Sequence, residues 1–152
     1  MKHFKMSEFE CRCGCEMPAD VKQNLEALVE VVLDPARERL GKAIRVTSGY
    51  RCEKHNKAVG GAANSQHVKG QAADICAGSP AENLAIAKAI VKGGDWDQMI
   101  LEEMKPGSLE PRWVHVSWKK GFANRREVRK KVQGTGPVFP KLTAEEMCKL
   151  KV

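Results

Sequence analysis

Aromatic side chains are scarce in this 152-residue chain: they make up 5% of it, as one Tyr, four Phe and three Trp. So few ring faces offer little on which to stack exposed bases, which counts against a specific nucleic-acid binder. Long apolar runs are missing too, and none approaches the roughly 18 residues that a membrane span needs. The opening Met1-Lys2-His3-Phe4-Lys5 leads into Ser7-Glu8-Phe9-Glu10 with no apolar centre of the kind a signal peptide carries. Synthesis in the cytoplasm, and no membrane partner, are therefore the expectation. Acidic residues are in deficit, 19 against 26 Lys and Arg, and the net charge of +7 points to an anionic partner without choosing among nucleic acid, cell-wall polymer and membrane surface. No internal repeat is found.

What is present suits a compact fold. A hydrophobic share of 42% argues against disorder, and the length fits one domain with one core. We read residues 1–134 as that domain, opening with a Cys-rich arm over 1–17, and residues 135–152 as a C-terminal extension. Pro18 to about Leu40 reads as helical, because Val21, Leu25, Leu28, Val32 and Leu33 recur at three-to-four-residue spacing; Pro35 should kink it and Gly41 stop it. The β-branched, alternating Ala43–Ser48 predicts a strand, Glu53–Ala58 a helical turn, and Gln71–Cys76 a second strand. Ser79-Pro80-Ala81-Glu82 has the cap and first-turn proline of a helix running to about Gly93. Asp97–Glu103 and Arg112–Trp118 read as a long-looped hairpin, and Thr143-Ala144-Glu145-Glu146 as a capping box opening a last helix. The basic run Arg125–Lys131 reads as a solvated helix face. The sum is an α+β fold with a small antiparallel sheet and helices packed on it.

Six cysteines are many for such a chain. Without a secretory signal they read as free thiols or metal ligands rather than disulfides. Cys11, Cys13 and Cys15 could take a metal together with Cys52 or Cys76. Single-residue spacing is tighter than that of zinc knuckles, however, and thiols packed in an arm are the simpler reading.

The richest stretch is Ser65-Gln66-His67-Val68-Lys69-Gly70-Gln71-Ala72-Ala73-Asp74. It ends in an apolar strand, where a carboxylate needs a cation or several donors. His115, on another apolar strand, shares a face with Trp113 and Ser117. Two imidazoles and one carboxylate form a recurring catalytic zinc set that leaves the fourth position open. Taken singly, His67 is equally a loop histidine, Asp74 a cap or ion-pair partner and His115 a satisfied core residue.

Together with Ser48-Gly49-Tyr50-Arg51 and Trp113-Val114-His115-Val116-Ser117, that stretch resembles the zinc D-Ala-D-Ala carboxypeptidase family, which includes L-alanyl-D-glutamate endopeptidases of phage lysins. The patterns SxxR, SxHxxGxAxD and a later WxH occur in order, and Ser7-Glu8-Phe9-Glu10-Cys11 resembles the start of one branch. The resemblance implies zinc held by His67, Asp74 and His115, with Arg51 beside the scissile carbonyl or holding a substrate carboxylate. It also implies Ser65 as a donor to the substrate, with a plain turn serine as the alternative. Read from the residues alone, Trp113, like Trp96 and Trp118, could stack on substrate at a cleft, with core packing or hairpin pairing as the alternative. In several relatives an acidic residue stands three positions before the last histidine; here that position is Arg112. Glu102, on the same strand face as Gln98 and Ile100, is the preferred general base, and Glu110 in the following loop is second. The implied activity is zinc-dependent hydrolysis of peptidoglycan stem peptides by a monomer, a cell-wall-degrading enzyme of endolysin type released through a holin. The alternative is a wall-binding module that keeps the metal and has lost catalysis.

Overall fold

A computed structural model describes residues 1–152. The first helical stretch is interrupted as Pro35 requires. Helix α1 (Ala19–Leu28) passes into a π-turn over Val29–Leu33, closed by the Asp34 N–H on the Val29 carbonyl, and resumes as α2 (Asp34–Leu40). Proline has no N–H to give, and its ring crowds the carbonyl one turn back, so the wider turn relieves both problems. Gly41 ends the helix in the left-handed region (φ 72°), where its N–H meets the Arg37 carbonyl at 3.0 Å.

Strand β1 (Arg45–Ser48), helix α3 (Glu53–Ala58), strand β2 (Ala72–Cys76) and helix α4 (Pro80–Gly93) follow, α4 capped by Ser79. Then come β3 (Gln98–Met104), β4 (Trp113–Ser117), β5 (Glu127–Val132) and α5 (Ala144–Leu150). The architecture is α+β, with strand order β1-β2-β4-β3-β5. Four strands are antiparallel as expected, but β5 lies parallel to β3, so the sheet is mixed. The basic run is therefore an edge strand and not a helix face. Val128 packs into the core, and its carbonyl takes the Leu142 N–H from the C-terminal segment.

Alternation along the strands sorts the two faces of the sheet. Ala73, Ile75, Met99, Leu101, Val114 and Val116 are buried in one cluster with Leu25, Leu28, Ile86 and Ile90. The opposite face carries Asp74, His115, Trp113, Gln98, Ile100 and Glu102, all bordering an open cleft. The N-terminal arm belongs to the core, since Phe4, Phe9 and Cys11 are buried and the Asp34 carboxylate accepts the backbone N–H groups of Lys2 and His3. At the other end Leu142 and Leu150 join the same cluster. No helix is long and apolar enough to cross a membrane.

Candidate metal centre

Strand register assembles the site. Ser48 pairs with Asp74, Asp74 with His115, His115 with Ile100 and Ile100 with Arg129, one row across all five strands. Residues paired in this way point to the same face, so Asp74 and His115 arrive side by side although 41 residues separate them. His67 comes from a 3-10 turn (Gln66–Lys69) in front of β2. The Ser65 hydroxyl caps that turn by accepting the His67 N–H, and Gly70 closes it in the left-handed region at φ 72°. Gly70 also meets a tight space, because a Cβ there would lie 2.6 Å from the Val21 carbonyl oxygen.

The three donor atoms converge. His67 Nε2 lies 3.2 Å from His115 Nδ1 and 3.3 Å from Asp74 Oδ1, and His115 Nδ1 lies 3.1 Å from the same oxygen. His67 Nδ1 sits 2.8 Å from the Gly49 carbonyl oxygen, a contact that only a donating Nδ1–H can make. That leaves Nε2 as the lone-pair atom, aimed at its two neighbours. Acceptors so close together repel unless a cation or proton lies among them. A tetrahedral zinc ion with bonds of about 2.0–2.1 Å needs ligand edges of about 3.3 Å, and the observed triangle fits. The set could hold a metal ion.

Asp74 is buried, and burial by itself would raise its pKa. When both imidazoles are protonated, hydrogen bonds from His115 and His67, and their charge, outweigh that and hold it well below the usual carboxylate range; a cation among the three atoms would act in the same direction. Arg51 supports it from the far side: Nη2 donates to Asp74 Oδ2 at 3.1 Å, Nε to Ser48 Oγ at 3.1 Å, and Nη1 reaches Asn56 Oδ1 at 3.5 Å.

Compared with known protein families, residues 2–106 match the one described as Peptidase M15. The chain belongs to the M15 family of zinc peptidases. It is thus a zinc metallopeptidase of the D-Ala-D-Ala carboxypeptidase type. The match takes in His67 and Asp74 and ends before His115, which the β2–β4 register supplies. A search of curated proteins finds no match.

The other residues anticipated for the site fall on both sides of the cleft wall. Arg51, Ser65, Glu102 and Trp113 line the cleft, which encloses about 1190 Å³. Glu110 does not. It borders a separate depression with Glu103, Lys105, Ser108 and Arg112. Glu102 pairs with Trp113, which makes it the diagonal neighbour of His115 on the cleft face, a spacing of about 7–8 Å between Cα atoms. Burial pushes the Glu102 carboxyl up to about 7; His115 opposes this, while Asp74 and Glu103 add to it.

Several wall residues were not placed at the site by the sequence reading. Lys69, Lys119, Arg125 and Arg129 give the cleft a basic rim, and Phe122 and Phe139 project at its edge. Asp97, fully buried, organises part of that rim. It accepts from the Arg125 backbone N–H, from Arg125 Nε and Nη2, and from Gln66 Nε2 in the turn that carries His67. The basic run 125–131 was the available signal, but only the fold turns it toward the cleft.

Proposed function

We propose that this zinc peptidase cleaves peptidoglycan stem peptides, as a D-Ala-D-Ala carboxypeptidase or an endopeptidase, with His67, Asp74 and His115 as its zinc ligands. The observation that carries the reading is a half-buried carboxyl, Glu102, on the same sheet face as three metal-ready donor atoms and open to the same cleft. Zinc bound there supplies Lewis acidity, bringing water's pKa toward neutrality and polarising a carbonyl.

The chain's own residues supply the rest. Glu102, pushed up to about 7, is suited both to taking a proton from the attacking water and to returning it to the departing amine nitrogen. Arg51 has five N–H donors and commits three of them to Ser48, Asn56 and Asp74. Two remain for the substrate carbonyl oxygen as it gains negative charge, or for a terminal carboxylate. The basic rim of Lys69, Lys119, Arg125 and Arg129 suits a peptide rich in carboxylates. The Ser65 hydroxyl oxygen is already engaged as the cap of the His67 turn, so its contribution is to aim the imidazole, and its O–H remains available to donate to a substrate in the cleft it lines. Action on the cell wall after release from the cytoplasm by a holin follows from the phage-lysin resemblance.

Digestion of purified peptidoglycan followed by mass spectrometry of the released peptides tests the proposal. Loss of a terminal D-Ala, or opening of the L-Ala–D-Glu bond, each abolished by chelator and restored by zinc, is the expected result. Intact stem peptides after incubation with the zinc-loaded protein would refute it, and zinc-dependent wall binding without cleavage would point to a binding module instead.

A further inference from the structure

A second group of metal-ready side chains lies outside the catalytic cleft. The segment Cys11-Arg12-Cys13-Gly14-Cys15 folds back on itself because Gly14 takes a left-handed conformation (φ 83°) and donates its N–H to the Cys11 carbonyl at 3.0 Å. Arg12 fastens this turn by donating to the backbone carbonyls of Glu8, Val46 and Thr47. Cys52, far away in sequence, caps α3 and completes the group. Sulfur separations are 3.3 Å for Cys11–Cys13, 3.5 Å for Cys13–Cys52 and 3.8 Å for Cys11–Cys52. With Cys15 included, the four sulfur atoms all lie within 4.8 Å of one another. Cys76, the other partner considered from sequence, stands apart and accepts from Arg45.

We propose that Cys11, Cys13, Cys15 and Cys52 bind one structural zinc ion, separate from the catalytic one. Tetrahedral zinc with four sulfur ligands at about 2.3 Å has sulfur–sulfur edges of about 3.8 Å, close to the spacing found. Four protein ligands close the coordination sphere, as structural sites do, whereas the three-ligand catalytic set leaves a position open. Hydrophobic packing does not account for the group, because Cys13 is exposed and Cys15 and Cys52 are only half-buried. Backbone N–H groups already point at sulfur: Cys52 N–H toward Cys11 Sγ at 3.5 Å and His55 N–H toward Cys52 Sγ at 3.4 Å. Such donors favour the thiolate form that metal binding needs. Zinc is preferred over iron, which a tetrathiolate also accepts, because the chain must acquire zinc for its other site.

The ion would have work to do. It would clip the N-terminal arm to the loop between β1 and α3, and that loop carries Arg51 next to Cys52. The Tyr50 N–H bonds to the Phe9 carbonyl at 2.8 Å, and Gly49, whose carbonyl orients His67, lies hard against Phe9. The arm therefore props the catalytic centre from behind.

Metal content per folded chain tests the proposal, read on full-length protein purified without chelator. Wild type is expected to hold two zinc ions, His67→Ala one, and the double variant Cys13→Ser/Cys15→Ser one. Cobalt exchanged into His67→Ala should show the intense near-ultraviolet sulfur-to-cobalt charge-transfer band of a thiolate site. That readout needs neither catalysis nor the cysteine variant to fold, so it stands apart from the peptidase assay. One zinc in wild type with none in His67→Ala would overturn the proposal, as would iron in place of zinc. Two disulfides found by thiol counting under denaturing conditions would overturn it as well.

Discussion

Glu102 occupies a strand position whose neighbours decide its chemistry. It faces a half-enclosed cleft beside His115 and Asp74, so its proton is held more tightly than that of an exposed glutamate. Replacing it with Gln keeps the shape and removes the exchangeable proton. Glu102→Gln should lose about 10²–10⁴-fold in kcat while zinc content stays at the wild-type level. Steady-state kinetics and metal analysis on one preparation check this, and near-normal turnover would reassign the base. Glu110→Gln, by contrast, should leave turnover within about 2-fold of wild type, because residue 110 borders a different depression. In sequence Glu102 was preferred because strand alternation put it on the face of Gln98 and Ile100, while Glu110 stood second as a loop residue able to fold back; the alternation held up to Glu102. Just beyond it Glu103 adopts φ 50° and breaks the pattern.

Among the elements, α4 supports the site from the opposite face of the sheet. Asn83 on its buried side accepts the Ala77 N–H at 2.6 Å and donates to the carbonyls of Pro111 and Arg112 at 3.0 and 2.8 Å. It thereby ties the end of β2 to the start of β4, the strands that carry Asp74 and His115. Asn83→Ala would leave three backbone groups without their partner, the Pro111 carbonyl in a fully buried bond and the other two partly buried, and should destabilise the fold by about 2 kcal/mol, measured by denaturant titration. Its residual folded fraction should also hold zinc more weakly than wild type. Helix α4 itself was plain in the sequence, since Ser79 and Pro80 are a local start signal and capping is settled within one turn. The same holds for the Thr143 capping box and for Gly41. Strand β5 was not plain: its basic side chains carry no period that separates an edge strand from a solvated helix. What makes it a strand is the ladder to β3 on one side and the Leu142 and Lys141 contacts on the other.

At the scale of the whole molecule, one buried acid links folding to pH. Burial works to raise the pKa of Asp97, but hydrogen bonds and charge from Arg125, with Gln66, overcome it and hold the group down at about 2. Its folded pKa is below the unfolded one, so the unfolded chain binds the proton more readily as the solution is acidified. The stabilisation is complete above about pH 4 and is lost as pH falls toward 2, an amount of about 2 kcal/mol. Asp97→Asn should therefore be less stable at pH 7 and show a flatter decline between pH 4 and 2, as followed by thermal melts across that range.

The motif residues, the helix caps and the chemistry of two imidazoles with a carboxylate were all written in local order along the chain, because capping, turn formation and ligand type depend on a few consecutive residues. The meeting of His67, Asp74 and His115, the exclusion of Glu110 from the cleft, the parallel edge strand and the arrival of Cys52 among the arm cysteines depend on strand register and on packing between distant segments. A one-residue slip of β4 against β2 would turn His115 into the core and dissolve the site. Nothing short of the folded sheet prevents that slip, because the apolar side chains of β4 hold their register only once α4 covers them.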